Sequence, residues 1–274
     1  MNLKVTSRCV RWRVVLVVLA SAVLAGACRA PSTFDAGCDG ALFGQPVAAT
    51  GLDSTQCRST CPCSGVTSRD FTADELAGLS AWTLSEPFPN LATNPFDAPA
   101  PERAQGVCAM TVEDVGAKRY RLDTFPDVPT AQDAGAILTH HDACGVCSTL
   151  TDLAVYARDR DLGAPVKKCG LDHFSEPIEP LVSCIEQLGF THPCAQIWAF
   201  NVRHTQSKCL SPCLVSGPYH QADGTLGECL ACDERESGPV FKAVAGRTRR
   251  NTGLASSICR PCAEARPVPH AYPL

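Results

Sequence analysis

The chain has 274 residues, among them 18 cysteines, 21 prolines and 20 glycines, with a formal net charge of −4. Its 45% apolar content is enough to build a core, so wholesale disorder is excluded, and neither a heptad pattern nor a collagen-like glycine period is present. The acidic balance argues against general nucleic-acid binding, which draws on a basic excess, so no nucleic-acid partner is expected.

In chain order, the first predicted element is an export signal over residues 1–27. Lys4, Arg8, Arg11 and Arg13 form a positive segment with no acidic residue. The 11 residues Val14 to Leu24 follow as an apolar run with Ser21 its one polar member, too short to span a bilayer as a stable helix. Ala25, Gly26 and Ala27 then lead into Cys28. Small residues directly ahead of a cysteine resemble the lipobox of bacterial lipoproteins. That resemblance implies that Cys28 becomes the lipidated first residue of the mature chain and holds it to a membrane. Ala25 stands where the family prefers leucine, and Ala25 with Ala27 also fits ordinary signal cleavage, so plain secretion stays open. Without residues 1–27 the chain keeps 20 basic against 28 acidic residues, a net charge of −8.

Cys38, Cys57, Cys61 and Cys63 cluster early, Cys108 follows a gap, and eleven more lie from Cys144 to Cys262. Pro87, Pro89, Pro95, Pro99 and Pro101 fall inside the gap and favour extended backbone. The expected organisation is a small cysteine-containing module over 28–84, a proline-rich connection over 85–106 and a main cysteine-rich domain over 107–274. Four and twelve cysteines are even counts, so each part could close its own bridges. The alternative is one domain with the connection wrapped over its surface. If Cys9 leaves with the signal and Cys28 is acylated, 16 cysteines remain, suited to an oxidising compartment.

Within the main domain, Ala109 to Val112 and Arg119 to Phe125 flank a Glu-Asp-Val-Gly turn and predict a hairpin, with Ala136 to His140 as a further short strand. Helices come next. Ser148 precedes Leu150, Leu153, Ala154 and Ala157 at helical spacing. Ser175 precedes Ile178, Leu181, Val182, Ile185 and Leu188, with Gly189 as the stop. Thr191 opens a third helix with Ile197, Trp198 and Phe200, and Ser237 a fourth, through Val240, Phe241 and Val244 to about Asn251 and Gly253. The fold class is α+β, rich in helix and stapled by disulfides: a short hairpin followed by several helices.

The segment His140-His141-Asp142-Ala143-Cys144-Gly145-Val146-Cys147 sits between a predicted strand and a predicted helix. A cysteine pair at a helix N-terminus gains thiolate character from the macrodipole, and His140 or His141 would add to it. Strand, C-x-x-C and helix in that order resemble the opening unit of thioredoxin-like oxidoreductases, over about 25 residues from Ala136 to Arg160. The resemblance implies Cys144 and Cys147 as a redox pair. The plainer alternative has each cysteine bridged to a different partner. A papain-like pattern departs sooner, because His141 stands in place of its glutamine and Ser148 in place of its aromatic residue.

Cys229, Cys232, Cys259 and Cys262 form two C-x-x-C pairs at a separation compatible with a four-thiolate zinc site, although oxidation competes with metal behind an export signal. Arg247, Arg249 and Arg250 make a basic spot in an acidic chain, able to hold a small anion. The same arginines also suit a helix C-terminus, and Asp233, Glu234 and Glu236 are available to pair with them. No complete nucleotide-binding, serine-hydrolase, zinc-protease or EF-hand motif occurs. The sequence therefore describes an exported, lipid-anchored, disulfide-rich protein at the periplasmic or outer face of a bacterial membrane, with a binding role toward a small anion or an envelope protein. A thiol–disulfide oxidoreductase using Cys144 and Cys147 is the first alternative, and a zinc-binding protein the second.

Overall fold

The computed structural model describes residues 42–58, 70–102, 104–215, 217–261 and 264–274. The export segment, Cys28, Cys38, Cys61, Cys63 and Cys262 lie outside these residues. What is described is a mixed α+β fold, mainly helical, in which all twelve described cysteines are joined in six disulfides.

Near the start, β1 (Leu42–Phe43) and β2 (Cys57–Arg58) pair in parallel. Helix α1 (Ala73–Ser80) begins with a reciprocal cap. The Thr72 hydroxyl accepts from the Glu75 amide, and the Glu75 carboxylate accepts from the Thr72 amide. Leu79 of this helix and the following Trp82 are buried in the main core, and the Trp82 indole donates to the Pro273 carbonyl at 3.2 Å. A short strand, β3 (Thr83–Leu84), joins the main sheet, and a 3₁₀ turn spans Pro95–Asp97. The proline-rich connection is thus laid along the body. Phe88, Leu91 and Phe96 pack on the core, the Leu91 amide donates to the Gln196 side chain, and the Phe96 ring stacks on His204 at 4.6 Å. All described residues fall in one compact unit spanning 35–274. Cys57 bonds to Cys259, so this early cysteine is bridged to the C-terminal group rather than within its own cluster.

The predicted hairpin forms from β4 (Val107–Asp114) and β5 (Arg119–Phe125), with Val107 opposite Phe125 and Val112 opposite Tyr120. After the short α2 (Val128–Asp133), capped by the Asp127 carboxylate, β6 (Ile137–His141) pairs with the other edge of β4. The sheet order is β3-β5-β4-β6, and Val107 to Met110 of β4 are buried in succession rather than alternately, because Met110 packs in the main core while Val107 and Ala109 pack in a second cluster with Ala131, Ala136 and Leu138.

The helical part comprises α3 (Leu150–Arg158), α4 (Gly163–Asp172), α5 (Ile178–Glu186), α6 (His192–Leu214), α7 (Glu228–Glu236), α8 (Gly238–Ala245) and α9 (Arg249–Thr252). Strand β7 (Arg260–Pro261) then runs antiparallel to β1 and completes the order β2-β1-β7. Leu150 and Leu153 of α3, Leu181 and Ile185 of α5 and Ile197 of α6 are fully buried together, at the positions that the periodicity marks as inward. Two local expectations shift. Thr149, not Ser148, caps α3 by accepting from the Asp152 amide. The predicted fourth helix is two helices, because Gly246 at φ 72° turns the chain after Ala245 and Thr248 caps a new start.

Candidate functional site

The strand, cysteine pair and helix expected around His140 are present in that order, as β6, Cys144 to Cys147 and α3. The sulfurs are used otherwise than a reversible dithiol pair requires. Cys144 bonds to Cys108 on β4 and Cys147 bonds to Cys194 on α6, so the two do not pair with each other. Gly145 between them serves packing. A β-carbon there would sit 2.4 Å from the Val244 carbonyl oxygen, because this loop donates from the Val146 and Cys147 amides to the last carbonyls of α8. His140 is fully buried, with Nδ1 2.7 Å from the His141 carbonyl and Nε2 2.7 Å from the Ser148 hydroxyl. A carbonyl is only an acceptor, so Nδ1 carries the proton and Ser148 donates to Nε2. The Ser148 oxygen in turn accepts from the Gly145 amide, which explains why Ser148 is not the helix cap. His141 lies apart from this pair, its Nε2 donating to the Pro267 carbonyl.

The four-thiolate zinc site is not assembled. Cys229 is bonded to Cys213, Cys232 to Cys209 and Cys259 to Cys57, while Cys262 lies outside the described residues. A sulfur held in a disulfide has no thiolate for a metal. Among the described residues no three His, Cys, Asp or Glu side chains come together as ligands.

The basic run separates into three roles. Arg247 is fully buried and structural: its guanidinium donates to the carbonyls of Cys147 at 3.0 Å, Ser148 at 2.9 Å and Thr139 at 3.3 Å, fastening the loop before α3 to β6. Arg250 is paired, with Glu264 at 2.8 Å and Glu234 at 3.2 Å. Arg249 donates from Nη1 to the Ala255 carbonyl at 2.7 Å, and its guanidinium lies 5.8 Å from the centre of the Tyr156 ring. Its Nη2 is buried without a hydrogen-bond partner among the described residues, and so are the Tyr156 hydroxyl and the Trp198 indole nitrogen.

These three orphaned polar atoms belong to residues that line one cavity of about 200 Å³, between α3, α6, α8 and α9. Five cationic side chains line it (Arg160, Lys242, Arg249, Arg250 and Arg260) against three acidic ones, Asp161, Asp233 and Glu234, a local positive excess in a chain of net charge −4. Most of these charges are committed. Burial alone would raise the Glu234 carboxyl, but Arg260, Arg250 and Lys242 hold it down at about 2, at contacts of 2.5, 3.2 and 2.7 Å. Burial pushes Asp233 up, opposed by hydrogen bonds from Thr205 and Asn201. Asp161 accepts from the Tyr219 hydroxyl at 2.8 Å, and Arg160 pairs with Asp70. Burial lowers the Arg249 guanidinium to about 10 and carries the Tyr156 phenol far above its ordinary value, so at neutral pH the first stays charged and the second stays protonated. The lining therefore includes a charged guanidinium without a carboxylate partner among the described residues, and a protonated phenol beside it. Its wall of Trp198, Asn201 and Asp233 also bounds an outer cleft of about 410 Å³ whose lip carries exposed Leu171, Phe174, Leu214 and Val215.

The sequence singles out Arg249 and Arg250 but not Tyr156 or Trp198, which lie on α3 and α6 at positions indistinguishable from core by spacing alone. Residues 178–267 match a family of unknown function, DUF8771, a stretch that includes Trp198, Glu234 and Arg249 and stops short of Tyr156. No curated protein and no solved structure matches the chain. The protein is therefore a disulfide-rich chain similar, from α5 to just past β7, to DUF8771.

Proposed function

We propose that this is an exported, disulfide-stapled binding protein, held through a lipid on Cys28 to the periplasmic or outer face of a bacterial membrane, which takes a small anion in the cavity beside Arg249. The six disulfides point to an oxidising, extracytoplasmic setting, and no helix among the described residues is long and apolar enough to cross a membrane. The observation that carries the binding role is Arg249, which lines a cavity of positive excess and whose Nη2 is buried without a partner among the described residues. Buried polar groups are nearly always satisfied, and a charged donor left unpaired costs more than a neutral one, so this edge calls for an acceptor.

Two measurements test the reading. Expressed in a bacterium, the chain is expected in the membrane fraction, and Cys28→Ala is expected in the soluble exported fraction; an unchanged distribution overturns the anchor. Thermal unfolding of the oxidised chain with acetate, benzoate, phosphate or sulfate is expected to show a dose-dependent rise in Tm for at least one of them. No shift from any anion removes the binding site.

A further inference from the structure

The cavity lining specifies its occupant beyond the sign of its charge, on the premise that the site takes a small anion. The lining cations are unequal. Lys242, Arg250 and Arg260 all point their charge at Glu234, and Arg160 is paired with Asp70. Among the described residues of the lining, Arg249 is the cation left without a carboxylate partner, so the site is matched to a single negative charge. The Tyr156 hydroxyl has the Trp198 indole N–H directed at its oxygen, which leaves the phenol proton without an acceptor among the described residues. Two oxygens on one carbon can accept from donors of this kind together, with the guanidinium contact charge-assisted.

The rest of the wall is aromatic. Trp198 and Phe241 meet edge to face at 4.7 Å between ring centres, and Tyr156 lies 6.4 Å from Trp198. About 200 Å³ is room for one ring with a substituent, since an apolar cavity of roughly 150 Å³ admits benzene. We infer that the cavity is a site for an aromatic monocarboxylate of a single ring, its carboxylate on Arg249 and its ring against Trp198 and Phe241. Inorganic phosphate and sulfate share the acceptor chemistry but leave the aromatic walls uncovered, and a second charge on either would meet no second free cation among the described residues.

Isothermal titration of the oxidised chain tests this with benzoate, its neutral isostere benzamide, acetate and inorganic phosphate. The expected result is saturable binding of benzoate, at least tenfold weaker binding of benzamide and acetate, and none of phosphate. Arg249→Gln, which keeps a donor for the Ala255 carbonyl, is expected to weaken benzoate at least tenfold and leave benzamide unchanged. Should that variant fail to fold, the comparison of benzoate with benzamide on the unaltered chain decides the same point. Phosphate or acetate binding as tightly as benzoate overturns the aromatic inference and leaves the anion site standing. Benzamide equal to benzoate overturns the role of the charge. Silence from every ligand overturns both readings.

Discussion

Asp152 and Arg247 are the two ionisable side chains around which the interior is arranged. Asp152 is fully buried and accepts from the Thr149 hydroxyl and from both the amide and the hydroxyl of Thr191, so one carboxylate joins the start of α3 to the start of α6. Burial raises its pKa to about 6, against the opposing pull of those hydrogen bonds and of Arg247. The folded value lies above the ordinary 3.8, so between about pH 4 and 6 the folded state binds more protons than the unfolded state. This group's contribution is therefore fullest below pH 4, is lost as pH rises through 6, and is constant above that. Asp152→Asn keeps an acceptor for the Thr191 amide and removes the titration. The expected outcome is that the urea midpoint of the native chain, relative to that of Asp152→Asn, falls between pH 4 and 6.5; a constant difference contradicts the assignment.

At the scale of elements, the corner between α8 and α9 does more than the sequence discloses. Gly145 and Gly246 approach so closely that a β-carbon on either would lie about 2.5 Å from the other's backbone, at 2.6 and 2.5 Å. Gly145→Ala is expected to lower stability by about 3 kcal/mol through this overlap, read from denaturant midpoints, although alanine suits the motif's local chemistry equally well. In the sequence the same glycine looks like part of a redox motif, because C-x-x-C ahead of a helix is locally identical whether the sulfurs pair together or apart. Periodicity succeeds where an apolar stripe faces one core, as in α3 and α5. It misses α7, whose only buried residue is Cys232, and α4, where Gly163, Pro165 and Gly170 interrupt the pattern. The basic run looks like one site because Arg247, Arg249 and Arg250 are close in sequence. The turn at Gly246 and the cap at Thr248 instead send one inward to the backbone, one to the cavity and one to Glu234. Orphaned donors on Tyr156 and Trp198 arise only from three-dimensional packing, so no spacing announces them.

Across the whole molecule, the six described disulfides obey a simple order. Cys108–Cys144 closes the sheet, Cys169–Cys184 lies inside Cys147–Cys194, and Cys213–Cys229 lies inside Cys209–Cys232. Cys57–Cys259, with a separation of 202 residues, encloses them all and ties the small sheet together through β2. Replacing both of its cysteines by serine is expected to cost about 2–5 kcal/mol and to speed amide exchange at β1, β2 and β7 first, while α3, α5 and α6 stay protected. Equal acceleration in those three helices would show that the small sheet is not a separable edge of the structure.

None of the six bonds interlaces with another, and this bears on how the chain is made. A chain delivered from its N-terminus can close each inner loop from cysteines already present, without undoing an earlier bond. Cys57 is the exception in timing: it emerges before every other described cysteine and must pass all of them over, since its partner is the last of the twelve to appear. Among the described cysteines, Cys57 is the early thiol that meets successive wrong partners for most of synthesis. Of the six described bonds, Cys57–Cys259 is thus the one most exposed to mispairing, and the help of a disulfide isomerase should be felt first in its closing.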